Sequence, residues 1–245
     1  MMHDIGTIIG KDLLETFSSR GSLKSGIIYL VILVAIMGVI MPMNAGLDWL
    51  NEPLVALMWV WFPVFLQISV VTDSFAGERE RNTLETLLAS RLSDQAILLG
   101  KICAAVLYGW GISIVANLVA AVTVNLTSPQ SSFQFYRLDL YLVLLLAPLL
   151  MGWLMASVGV LLSLNAPTAR AAYQRLSLVM VAVFILPMLV INFGGEAMQA
   201  KIGQFFIGLD LTSIAIGIGV LLLLVDVALT FFAMRRFQRA RLILE

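Results

Sequence analysis

Six stretches of this chain, each 18 to 27 residues long and almost wholly apolar, constrain its fold more than any other feature. They cover roughly 26–43, 54–72, 102–126, 138–164, 176–193 and 209–234. A helix needs about 20 predominantly apolar residues to cross the hydrocarbon core of a bilayer. In lipid the backbone must pair its own polar groups, so each such run is a helix. A strand reading also fails, because β-branched runs such as 27–36 show no alternation of period two. Composition agrees: 60% of residues are hydrophobic, 12% are charged, and mean hydropathy is +0.98. Soluble domains carry about 45–50% apolar and about 25% charged residues. The expected fold is an all-α membrane protein, a single transmembrane domain over 1–245 that crosses the bilayer six times.

The net charge of zero conceals an uneven distribution. Thirteen of the fifteen Lys and Arg residues fall on one side of the expected spans, and only Arg137 and Lys201 fall on the other. Under the positive-inside rule, both termini and the loops 73–101 and 165–175 are cytoplasmic. The loops 44–53, 127–137 and 194–208 face outward, and a bacterial inner (plasma) membrane is the expected location. Asp4, Asp12 and Glu15 precede the first apolar run and no A-x-A-like site follows it, so that span is expected to stay in the mature protein. Trp49, Tyr108 and Tyr136 lie near expected interfaces and read as headgroup anchors.

The segments between spans carry their own patterns. In 4–20, Ile5, Ile8, Ile9, Leu13 and Phe17 recur at three- and four-residue steps, with Lys11, Asp12, Glu15 and Ser18 off that stripe. This predicts an amphipathic helix lying in the membrane interface. In the loop 73–101, Asn82 followed by Glu85 has capping-box spacing and starts a short helix with Leu84, Leu87 and Leu88 on one face. The charged run Glu78-Arg79-Glu80-Arg81 comes just before it, and Ser93-Asp94 caps the segment leading into the third span. An apolar face at the tip of a membrane protein needs a cover, and a partner protein is the reading adopted over folding back onto the chain's own helices. In 165–175, Pro167 suits a helical first turn and three alanines favour its continuation.

These residues resemble the membrane subunits of type-2 ABC exporters. The resemblance rests on the form G-E-R-E-R-x-T-L-E-x-L-L-A-S…S-x-x-x-I-L-L-G-K in the loop match from Ala76 to Lys101, together with the amphipathic N-terminal segment and six spans. Two positions depart from that pattern: Asn82 stands where glycine is common, and Arg91 where proline is common. The resemblance implies that 4–20 is a connecting helix and that Asn82–Ala89 forms a coupling helix seated on an ATPase. Glu78, Arg79, Glu80, Arg81, Asn82, Thr83, Leu84, Glu85, Leu87 and Leu88 would contribute to coupling, with a second element around Pro167 and Arg170. It also implies two ATPase subunits holding ATP and Mg, and a second membrane subunit, identical or related.

The sequence holds no phosphate-binding loop, so if transport is ATP-driven the engine is another polypeptide. A phosphate-binding loop requires G-x-x-x-x-G-K-[S/T], and neither Gly10-Lys11 nor Gly100-Lys101 has the preceding glycine or the following hydroxyl. One cysteine, Cys103, and one histidine, His3, make no metal-ligand set and no intramembrane Ser–His pair. No cofactor and no nucleic acid is expected on this chain. Within the spans, Asp226 is the most costly polar group and Gln67 and Asn192 follow. A structural bond from Asp226 to Arg235 or a polar neighbour is favoured over a functional role. In related exporters the second and fifth spans line the path, so Trp59, Phe62, Phe65 and Phe184 are candidate contacts for an apolar substrate. The polar stretch 192–203 is expected to form a short outer turn or a re-entrant helix. The competing classes are a membrane anchor for a cytoplasmic ATPase or mechanical complex, and a stand-alone secondary carrier. The latter is disfavoured by a single central Asp and no visible repeat.

Overall fold

The computed structural model describes residues 2–18, 23–128, 132–195 and 211–237, and among them there are helices and no strands. α1 spans Met2–Ser18; α2, Leu23–Ala35, passes through a π-helical turn at Ile36–Ile40 into α3, Met41–Ala45. A short α4, Asp48–Asn51, leads to α5, Pro53–Glu80. α6 is Leu84–Leu88, α7 Asp94–Thr127, α8 Leu138–Leu164, α9 Ala169–Phe193 and α10 Leu211–Arg236. Among the described residues, four helical stretches are long and apolar enough to cross a membrane: Ile28–Ala45, Asp94–Thr127, Leu138–Leu164 and Ile216–Arg236.

The helices outrun the apolar stretches that announce them. α5 continues two turns beyond residue 72, α7 starts eight residues before residue 102, and α9 starts seven before residue 176. Much of the expected loop 73–101 is therefore helical. At 1.5 Å per residue the 34 residues of α7 extend about 51 Å, well beyond a hydrocarbon core of about 30 Å. The re-entrant element expected at 192–203 falls mostly outside the described residues.

α5 sits at the centre of the bundle. Its Gln67, Val71 and Phe75 meet Gly152, Gly159 and Ser163 of α8 in rising order, so the two helices run parallel. A Cβ on Gly159 would stand 2.1 Å from a Val71 methyl, which shows how closely the two backbones approach. Ser163 Oγ accepts from the N–H groups of Phe75 and Ala76 and donates to the Thr72 carbonyl, inserting between two turns of α5. α7 runs antiparallel to α5, with Gly109 at Gln67 and Lys101 at Phe75. The π-helical turn lies where buried Gly38 packs on Ala116 and Val119 of α7 and its carbonyl accepts from Thr123. Pro148 opens the α8 ladder, and Trp110 Nε1 donates to the nearby Leu145 carbonyl at 2.9 Å.

The aromatic anchors are a correction. Trp49, Tyr108 and Tyr136 are all buried, in one cluster with Leu50, Phe62 and Leu66, and do not sit at a lipid boundary. The Tyr136 hydroxyl donates to the Asn117 carbonyl at 3.1 Å, and burial pushes its pKa upward. Large amphipathic rings suit an inner packing site with one polar partner as well as they suit an interface.

Candidate functional site

The site is built where α5 ends. The N–H of Asn82 reaches the Arg79 carbonyl at 3.1 Å and that of Thr83 reaches the Glu78 carbonyl at 2.9 Å, the paired bonds of a Schellman motif. Asn82 supplies the left-handed residue this motif requires, with φ 57°, the one described non-glycine residue at positive φ. The capping-box expectation is thereby corrected. Asn82 closes α5 and does not open α6, whose N-cap is Thr83 with no side-chain capping bond. The same geometry accounts for glycine being common at this position among the exporters the sequence resembles, since Gly and Asn reach the left-handed region at least cost.

Gly77 has a related reason. Asp73 lies along the helix over it and pairs with Arg81 at 3.0 Å, and a Cβ at Gly77 would collide with the Asp73 carboxylate at 1.9 Å.

The leucine face of α6 is the second correction. Leu84, Leu87 and Leu88 are buried with Ile8 of α1, Phe75 of α5 and Ile97 of α7. The chain covers this face itself, because α1 lies across the start of α7 with Ile8 seated on Gly100. What α6 and its flanks present outward is polar: Glu80, Arg81, Asn82, Glu85 and Thr86 are exposed, as is Arg91.

Beneath this surface lies an ionic cluster that sequence reasoning missed. Glu78 is 2% exposed, receives Lys11 at 2.7 Å and the Thr83 hydroxyl, and stands 3.5 Å from Lys101. Lys101, also buried, reaches Asp12 at 3.3 Å and lies over the Phe75 ring. Burial pushes the Glu78 carboxyl upward, but Lys101, Lys11 and Thr83 outweigh it and hold the pKa at about 2. At Asp12 burial prevails over Lys101 and Lys11, and the pKa is raised. Burial lowers Lys11, yet Glu78, Glu15 and Asp12 more than reverse this and leave it raised. Asp12, Glu15 and Glu78 bring ligand oxygens within 4.8 Å of one another, but Lys11 and Lys101 already supply the positive charge a metal would bring. The signal was present in the spacing: Lys11, Asp12 and Glu15 follow Ile8 by three, four and seven residues, which places them on the side of α1 that meets α5 and α7.

The second element joins the same platform. The guanidinium of Arg79 donates to the carbonyls of Ala166 and Leu164, at 3.0 Å to the latter, and so caps α8 from α5. Thr168 caps α9 by accepting from Ala171 N–H at 3.1 Å. Pro167 therefore stands just before the cap and not in the first turn, a third correction, and Arg175 donates to the Asn165 carbonyl. A cavity of about 990 Å³ opens between α1, α5, α6 and α9, with Lys11, Glu15, Thr83, Ser90, Arg170 and Tyr173 among its lining.

The candidate path residues are not brought together. Phe62 is buried beside Trp49, whereas Phe65 is 61% exposed on the outside of the bundle. Gln67 is fully buried in a slot between Gly109 and Gly152, and its amide atoms have no hydrogen-bond partner among the described residues. Asp226 is buried with both carboxylate oxygens unpartnered among the described residues, and the expected bond to Arg235 is not formed; Arg235 lies over Phe231 instead. The side chains of Trp59, Phe184 and Asn192 lie outside the described residues.

A search of curated proteins gives no match. The family described as ABC-2 family transporter protein matches residues 57–216, which takes in α5, α6, α7, α8 and α9. With nearly two thirds of its length matched, the chain belongs to the ABC-2 transporter family and is a transmembrane permease component of an ABC transporter.

Proposed function

We propose that this chain is the permease subunit of an ATP-driven exporter that crosses the inner membrane six times with both termini in the cytoplasm. A separate ATPase, present in two copies and carrying ATP and Mg, drives it, and a second membrane subunit completes the transporter. Alternating access moves the substrate: closure of the ATPase pair biases the two membrane subunits toward one arrangement, as differential binding requires. The charge asymmetry of the loops supports the orientation, and α5 and α9, at 28 and 25 residues, are long enough to supply the two further crossings.

One observation carries the reading. The outward polar surface Glu80–Thr86 is fastened to α1, α5 and α7 by buried leucines and by the Glu78 cluster. A push on that surface moves three helices together, which is what a coupling element has to do. The partner would meet Glu80, Arg81, Asn82 and Glu85, with Leu84, Leu87 and Leu88 acting as internal fastenings.

The test is charge reversal on the outer surface. The double change Glu80→Arg and Glu85→Arg is expected to lower co-purification of the ATPase at least tenfold and to abolish substrate-stimulated turnover, with the membrane subunit still folded. Full retention of both properties would sink the assignment.

A further inference from the structure

The cavity between α1, α5, α6 and α9 is lined by Arg170, a residue of the second coupling element that lies apart from the polar surface at Glu80, Arg81, Asn82 and Glu85. Of the basic residues lining it, Lys11 and Lys101 are engaged by Glu78 and Asp12, and Arg81 by Asp73. Arg170 is exposed and makes no hydrogen bond or ion pair among the described residues, and neither does the hydroxyl of Tyr173. The two residues are three positions apart on α9 and therefore share a face. Val181, 50% exposed, continues that face along the helix, and Leu178, 69% exposed, lies at its edge. On the opposite wall, α1 is an amphipathic helix with Leu14 exposed beside the cavity-lining Glu15.

A free guanidinium and phenol at the foot of an exposed apolar stripe match an amphiphile with a phosphate head. Guanidinium binds phosphate oxygens in a two-pronged, charge-assisted geometry. The cavity lies at one end of the crossing helices, where lipid headgroups are found. We propose that Arg170 and Tyr173 bind the phosphodiester headgroup of a bilayer lipid in this cavity, with an acyl chain along Leu178 and Val181. The site places a lipid against α1 and α6, the elements fastened together by the Glu78 cluster. The proposal needs the chain to be embedded in a bilayer but does not need ATP-driven export.

Native mass spectrometry of the purified, delipidated membrane subunit without any ATPase tests it, so its failure is separate from failure of the coupling reading. The probes are phosphatidylglycerol, diacylglycerol and glycerol phosphate. Wild type is expected to bind one phosphatidylglycerol per chain with at least tenfold preference over either other probe. Arg170→Gln should raise the Kd about tenfold, Arg170→Lys less, and Tyr173→Phe a few-fold. Arg175→Gln serves as the control, because Arg175 donates to the Asn165 carbonyl and is not among the cavity-lining residues, and its affinity should be unchanged. Thermal unfolding of each variant confirms that the fold is intact. Equal phosphatidylglycerol affinity in wild type and Arg170→Gln overturns the proposal. So does glycerol phosphate binding as tightly as the lipid, which would make this a soluble phosphate site, or an equal loss in Arg175→Gln.

Discussion

Single residues decide the geometry of the segment between α5 and α6. Asn82 holds the left-handed position that lets α5 stop and α6 start. Asn82→Gly should therefore leave stability unchanged or slightly raised, whereas Asn82→Ala should cost about 1 kcal/mol, because alanine keeps the Cβ but loses the short polar side chain that lets asparagine tolerate that region. Thermal unfolding in detergent, compared across the pair, measures this directly. From sequence alone Asn82 fitted an N-cap equally well, since asparagine favours both roles and only the backbone torsion separates them. Gln67 was visible as a polar residue in a span, but its slot between Gly109 and Gly152 was not. Which glycines two other helices present to it is a property of packing, and no local pattern carries that information.

At the level of elements, the apolar runs located each long helix and missed its ends. Residues 73–80 are helical although charged, because Asp73 and Arg81 pair along α5 over Gly77 and Glu78 is buried by α1 and α7. A hydropathy pattern cannot show that a charged turn is covered by another part of the chain. The same cluster makes a pH prediction. Glu78 has a folded pKa of about 2 against an ordinary 4.5, so the stability it contributes is fully present above 4.5 and is lost as pH falls toward 2. Asp12, whose pKa is raised, works in the opposite sense and gains as pH falls through its own value. Glu78→Gln should flatten the loss between pH 4.5 and 2 and should cost about 3 kcal/mol at neutral pH, the low end for a broken buried pair because Asp12 still faces Lys101. Denaturation midpoints across that pH range, for wild type and variant, check both statements.

For the whole molecule, membrane character and helical class were readable because they depend on composition and on the length of apolar runs, which neighbours do not alter. The leucine face was assigned to a partner because a sequence cannot say that α1 returns to cover it. That return gives the platform its shape: a polar outer surface resting on an apolar and ionic joint between α1, α5 and α7. Hydrogen exchange of the membrane subunit with and without its ATPase tests the central claim most directly. The account predicts new protection concentrated in peptides covering Glu80–Arg91 and the segment just before α9, with peptides of the α1 interior already protected and unchanged. Tight ATPase binding with no added protection in 80–91, or with protection confined to other surfaces, would contradict it.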